Sequence, residues 1–473
     1  MSRTGRAIAT LLLIGICISE SSTLAEETPA TDLERTVEAL KARVRDQDRR
    51  IAELEDQQGK TVRAADVRKL VDEALGEMGP SDFRLYWDNG LRAKTADGSV
   101  SLKFGGRLQY DWTWYDDDEV EEVGLGEVSD SAEPRRARIY LEGSFNKRIS
   151  FKVQYDFTGG DADFKDVYLE LNQLPVVQNL RFGHFKEPFA LNELTSAKYI
   201  LFIERSLPSE AFAPSRNVGA MVHGTLLDER MTLAGGIFRD TDDFGQTGEF
   251  SAAADDEHVF TGRATVLPWY EDKGRRLLHL GGAYSYRHLK GNDNAARFRT
   301  RPETHVGPRL VDTNFGPIDI VDAEDVSLFG GEIALVCGPF HCQAEYMAAM
   351  VESNLRDDPV LDGWYVQAGY FLTGEHRPYK KSEGAFDRVK PLKPYDKGGP
   401  GAVELKIRFS GIDLEDASLA GGTENNLSFG VNWYLNHNVR IMADLVRAMA
   451  RDVNNTGDDA DACIFIIRAQ VDF

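Results

Sequence analysis

From about residue 101 to the last residue, apolar and polar side chains alternate with period two, in blocks separated by turn-rich stretches. The final block shows the pattern most plainly. Phe473, Val471, Ala469, Ile467 and Phe465 alternate with Asp472, Gln470, Arg468 and Ile466, and the apolar set runs unbroken to the chain end. Chain ends usually fray into water, so an apolar terminus needs a reason. A strand with one wet and one apolar face supplies it if the apolar face meets lipid.

The same period predicts strands at about 101–114, 134–145, 149–157, 165–171, 178–185, 218–227, 230–238, 258–267, 277–288, 327–337, 342–351, 364–373, 402–410, 426–435, 438–448 and 463–473. Sixteen is an even number, as a bacterial outer-membrane barrel requires. The connections alternate too. Short turns such as 146–148, 227–230, 338–341 and 436–437 follow even-numbered strands, and most of the longer acidic or glycine-rich stretches follow odd ones. Residues 374–401 break the rule, being long but on the short-turn side. Either the count slips there or that segment folds back under the pore mouth. Five tryptophans (Trp112, Trp114, Trp269, Trp364, Trp433) fall near predicted strand ends, where an interfacial girdle sits.

Before the strands the period differs. Arg3 and Arg6 precede an apolar run from Ala7 to Ile18, with small residues to Ala25, which predicts a secretory signal over 1–25. Leu33, Val37, Leu40, Val44, Gln47, Ile51 and Leu54 are then spaced by alternating fours and threes. That spacing predicts an α-helical coiled coil and helical linker over 26–80, placed in the periplasm, and an oligomer to bury its seam. The fold expected is therefore all-β, a 16-stranded antiparallel transmembrane β-barrel over 81–473 behind an N-terminal coiled-coil segment. No mature apolar run approaches the roughly 20 residues of a membrane helix.

A formal charge of −22 argues against nucleic acid as a partner. Its distribution says more. Residues 116–133 hold nine acids and no base, 240–257 hold seven acids and no base, and 376–400 carry seven Lys or Arg against three acids. Cys337 and Cys342 bracket 338–341, read as a four-residue turn, so the two are expected to face each other as a disulfide.

The stretch 135–224 resembles the phosphate-selective porin O and P family, most tellingly in RRAR (135–138), GHFKEPFALNELTS (183–196), FIERSLP (202–208) and SRNVG (215–219). GYFLTGEHRPY (369–379) and VNWYLN (431–436) are similar to it as well. The resemblance implies a trimeric outer-membrane channel whose third external loop folds inward as a constriction. The strand count makes 186–217 that loop.

Placing apolar side chains outward puts Lys103, Arg107, Arg136, Arg138, Lys152, Arg181, Arg263, Arg408, Arg440 and Arg468 inward. Arginine suits an oxyanion because its planar fork bonds bidentately and stays charged. In the family, basic side chains on wall and constriction form an anion track. That implies pore-lining roles for Arg136, Arg138, Arg181 and Arg263, with Lys186, Lys198, Arg205 and Arg216 on the inward loop. Glu142, Asp156, Asp166, Glu170, Asp444 and Asp472 also point inward, and Glu187, Glu193, Glu204 and Glu210 balance the loop. Many of the arginines would then fasten the loop to the wall by ion pairs.

The expected function is passive diffusion of small anions, phosphate or polyphosphate among them, with outer-membrane lipid and lipopolysaccharide as surroundings. The alternatives are a general or cation-favouring porin, or a structural protein tethered through its coiled coil. No catalytic motif, cofactor or metal site is expected: the chain has no G-x-S-x-G, H-E-x-x-H or P-loop. His184, His223 and His279 read as wall histidines.

Overall fold

The structure, a computed structural model, describes residues 83–116, 120, 129–160, 162–241, 258–289, 295–313, 320–321, 323–353, 358–416, 419–453 and 458–473. The expected signal segment (1–25) and coiled coil (26–80) lie outside these residues, as do most of the acidic stretches 116–133 and 240–257.

A hairpin of β1 (Phe83–Trp87) and β2 (Leu91–Thr95) precedes sixteen long strands. These are β3 (Val100–Asp116), β4 (Ser131–Phe145), β5 (Ile149–Asp156), β6 (Asp163–Leu174), β7 (Gln178–Lys186), β8 (Arg216–Leu226), β9 (Met231–Arg239), β10 (His258–Glu271), β11 (Arg276–His288), β12 (Ala323–Cys337), β13 (Phe340–Ser353), β14 (Val360–Phe371), β15 (Ala402–Asp416), β16 (Leu419–Tyr434), β17 (Val439–Val453) and β18 (Asp458–Asp472). Each pairs antiparallel with the next, and β18 returns to β3 from Cys463↔Asp116 to Asp472↔Arg107. The sheet is closed, which removes the unpaired edges that lipid cannot satisfy.

All sixteen predicted strands are present. The β1–β2 hairpin is not among them: each strand is only five residues long, too short for the alternation of Phe83, Leu85 and Trp87 to stand out as a period. It pairs with the first residues of β3, from Leu91↔Phe104 to Lys94↔Ser101, below the point where β18 ends. Phe473 is tied in here. It exchanges two backbone bonds with Gly106, at 2.9 and 3.0 Å, and its ring stacks 6.0 Å from that of Trp87.

Along the strands, exposed large apolar side chains such as Phe104, Leu108, Trp112, Ile139 and Leu141 alternate with buried polar ones such as Arg107, Gln109, Asp111, Arg136 and Arg138. This is a soluble protein's pattern turned inside out, as a lipid-facing wall demands.

Three connections fill part of the interior. The loop 187–215 carries two short helices, α1 (Leu191–Leu194) and α2 (Leu207–Ala211). Residues 295–313 of the connection after β11 come in beside it, packing Phe298 and Val311 with Phe212, Leu328, Leu361 and Leu414. The segment 372–401 enters from the other end. Its short ladder, Tyr379–Lys380 with Ala385–Phe386, packs Tyr379 and Phe386 against Leu191, Leu267 and Leu277. The strand count therefore does not slip at 374–401; the basic segment folds back into the lumen.

The expected disulfide is corrected. Cys337 and Cys342 are both free thiols. Gly338 takes φ 61°, so the turn closes on Gly338 and Pro339 alone. Cys337 then pairs with Phe340, and Cys342 with Leu335, leaving the two sulfurs diagonal to each other on one face.

Candidate pore constriction

A loop inside a barrel must find partners for its backbone polar groups. The wall of β13 and β15–β18 supplies them from charged side chains. Arg440 donates to the Ile200 carbonyl at 3.0 Å, Lys406 to Leu201 at 3.0 Å, Arg468 to Ile203 at 2.5 Å and Arg408 to Glu204 at 3.1 Å. Nearly successive carbonyls of the loop thus meet a row of wall cations. Carboxylates serve the loop's donors. Asp444 accepts the Ile203 N–H at 2.8 Å, and Glu345 accepts those of Leu191 and Asn192 at 2.7 Å each.

Glu204 joins the loop to both β18 and β4, which flank β3. Its carboxylate takes Arg135 at 2.8 Å, Arg136 at 3.4 Å and Arg468 at 2.6 Å. Burial alone would raise this carboxyl, but the three guanidiniums outweigh it and hold it well below the usual carboxylate range. Arg468 also grips Asp111 through two 2.6 Å bonds. On β15 and β16, Glu303 of the second inward loop receives Arg408 at 2.6 Å and the hydroxyls of Ser410 and Ser428.

What remains open is a cavity of about 990 Å³ between β3–β10, the loop 187–215 and the segment 372–401. Its lining contains 14 Lys or Arg side chains and 6 Asp or Glu. All eight residues singled out from sequence, Arg136, Arg138, Arg181, Lys186, Lys198, Arg205, Arg216 and Arg263, are on this wall.

Seven of the eight hold a carboxylate at close range. Arg138 meets Asp156 at 2.5 Å, Arg181 meets Glu170 at 2.5 Å and Arg263 meets Glu332 at 2.6 Å. Lys186 and Arg205 share Glu193 at 2.9 and 2.6 Å, and Arg216 shares Asp166 with Lys152 at 2.7 and 2.6 Å. Yet Asp156, Glu170, Glu204 and Glu332 are absent from the lining. They are set back from the cavity surface and fix the guanidiniums that line it.

Lys198 is looser. Its carboxylate, Asp472, is 4.0 Å away, and Arg388 of the inward segment already holds that carboxylate. Burial lowers the Lys198 ammonium to about 7, with Asp472 pulling the other way.

Lys103, Arg107 and Lys152 also line the cavity, placed inward by sequence reasoning without an assigned site, and Arg107 differs from the other two in its surroundings. It is 7% exposed and lines the cavity, and its Nε and Nη1 have no hydrogen-bond partner among the described residues. The register sets it directly opposite Arg138, a like charge. Only strand pairing reveals that juxtaposition, so the sequence carried no signal for it. Arg135 was missed for a similar reason: a register shift between Gln109 and Tyr110 interrupts the alternation beside it.

Comparison with known proteins follows the geometry. The profile of the phosphate-selective porin O and P family matches residues 102–473. Porin O of Pseudomonas aeruginosa is 31% identical over 430 residues, covering 83% of this chain and 93% of that protein. An uncharacterised protein of Caulobacter vibrioides is 27% identical over 448 residues, 90% of this chain and 87% of its own. Among solved structures, an anion-selective porin from Comamonas acidovorans aligns over 79% of this chain and all of its own at TM-score 0.51 and 10% identity, a likeness of fold.

Proposed function

The chain belongs to the phosphate-selective porin O and P family, and from that premise we propose that it passes small anions, phosphate and polyphosphate among them, through the basic cavity. The protein is an outer-membrane porin, a channel whose selectivity rests on width and on charge at the narrowest point. Arg107 carries the proposal: a buried guanidinium with open donors, on a wall where bases outnumber acids. An oxyanion offers such donors short charge-assisted bonds that water makes less well.

The eight sequence-selected residues then divide their work. Arg136, Arg138, Arg181 and Arg263 are held by carboxylates set back from the cavity, while Lys186, Arg205 and Arg216, on and beside the inward loop, share Glu193 and Asp166, which line it. Lys198 and Arg107 bind most directly. A homotrimer in lipid and lipopolysaccharide is the expected assembly, and the coiled coil at 26–80 is proposed as its periplasmic extension.

The test is a planar-bilayer reversal potential in a chloride gradient, followed by added phosphate. An anion-biased potential with current blocked by low phosphate is expected. A cation-biased or neutral pore without block would leave the family's architecture and remove its selectivity.

A further inference from the structure

The inward face of the cavity gathers three lysines around one aromatic ring, and only Lys152 of the three has a carboxylate closer than 4.0 Å. Lys103 of β3, Lys152 of β5 and Lys198 of the inward loop lie 5.1, 5.7 and 5.6 Å from the centroid of one ring, that of Tyr140 on β4. All three are within the roughly 6 Å reach of a cation–π contact. We propose that Tyr140 is a selectivity-determining positioning residue, whose ring holds three ammonium groups on the pore wall without neutralising them. This rests on the anion-channel reading above.

The register explains the convergence. Lys103 and Lys152 both stand directly across from Glu142, and Tyr140 is two residues from Glu142 on the same inner face. Both lysines are therefore diagonal neighbours of the ring, within reach of a long side chain. Lys198 arrives from the loop. Lys103 is 4.0 Å from Glu142 and Lys198 is 4.0 Å from Asp472, while Lys152 alone has a tight partner, Asp166 at 2.6 Å. Three like charges repel, and carboxylates in contact with each would cancel the potential they create. A ring face attracts cations through its quadrupole and carries no formal charge. Tyr140 therefore localises the lysines without adding a formal negative charge, and the positive character it preserves is that of Lys103 and Lys198, each 4.0 Å from a carboxylate.

The ring itself is pinned. It is 6% exposed, and its hydroxyl donates to the carbonyl oxygen of Phe473, 3.2 Å away. Gly105 on β3 leaves the space it fills: a Cβ there would stand 2.4 Å from the ring's Cζ and from its hydroxyl oxygen. The terminal residue that closes the barrel thus also sets the ring on which the pore's lysines rest.

Tyr140→Leu, Tyr140→Phe and Gly105→Ala, made in the full chain, test this in planar bilayers after heat-modifiable electrophoretic mobility has verified a folded barrel. Tyr140→Leu should lower the anion-to-cation permeability ratio and weaken phosphate block, by about two- to tenfold for contacts of this kind. Tyr140→Phe, which keeps the ring, should retain the wild-type ratio. Gly105→Ala keeps every charge and displaces the ring together with the Phe473 carbonyl, 2.5 Å from the added Cβ, so in a channel that folds it should fall in between. A folded Tyr140→Leu channel with wild-type selectivity and block overturns the proposal. Should that variant not fold, an unchanged Gly105→Ala channel does the same. A wild-type channel without anion preference would overturn the function proposed above and this inference with it. A selective wild type with unaffected variants removes this inference alone.

Discussion

The two sides of the barrel interior are built from the same alternation and end in different states. Along β15–β18, Lys406, Arg408 and Arg468 have side chains no more than 1% exposed, each closed by a carboxylate and a loop carbonyl. Along β3–β10, Arg107, Arg138 and Arg181 face a cavity. An inward arginine is a fastener where a loop lies on it and a ligand where none does. The strand supplies the charge, and the loop decides its use.

The largest expected effect tests the fastening side. Glu204→Ala would leave Arg135, Arg136 and Arg468 without their shared carboxylate, and breaking a buried ion pair this way costs about 3–5 kcal/mol. The midpoint of thermal or denaturant unfolding should drop accordingly. Single-channel conductance should rise as the loop loosens. Unchanged values of both would mean that the loop is held by its carbonyl contacts and apolar packing alone.

Next comes the ligand side. Arg107→Ala removes a guanidinium that bonds to nothing else described, so unfolding should be nearly unaffected. Phosphate block should weaken by about tenfold or more, the worth of one charged hydrogen bond at about 1.5–3 kcal/mol. A variant that unfolds readily but still binds phosphate would reverse the assignment and make Arg107 a fastener too.

A smaller effect follows from Lys198. Its ammonium titrates at about 7, charged below and neutral above. Raising the pH from about 6 to about 8 should therefore remove positive charge from the constriction and reduce the anion bias. Lys198→Gln should flatten that dependence, because glutamine does not titrate. A bias that grows with pH would place the controlling group elsewhere.

The smallest effect marks the contrast between lumen and rim. Arg276 pairs with Glu271 at 3.7 Å, both with side chains 54% exposed. Arg276→Ala should change unfolding by no more than about 0.5 kcal/mol, as exposed pairs do. Selectivity should not move.

Particular residues show where the sequence was readable. Every long strand was, because lipid outside and water inside impose opposite polarity on neighbouring side chains. The inward set followed from the same rule: Arg107, Arg136, Arg138, Arg408, Arg440 and Arg468 are all buried on the inner face. The β1–β2 hairpin was not readable, since strands of five residues are too short for an alternation such as that of Phe83, Leu85 and Trp87 to be told from chance. The cysteine pairing failed because two- and four-residue turns look alike until the left-handed Gly338 settles which residues face each other.

The sequence by itself determined the closed antiparallel sheet, its strand number, the face each side chain takes and the basic character of the lumen. Those properties depend on near neighbours and on the two solvents. Which cations are spent and which stay open was decided only by the tertiary structure. Glu204, Glu303 and Glu345 meet partners far away in the chain, and Tyr140 meets lysines from two other strands and a loop. Electrostatic pairing acts over a few ångströms of space, and no period along the chain encodes that distance.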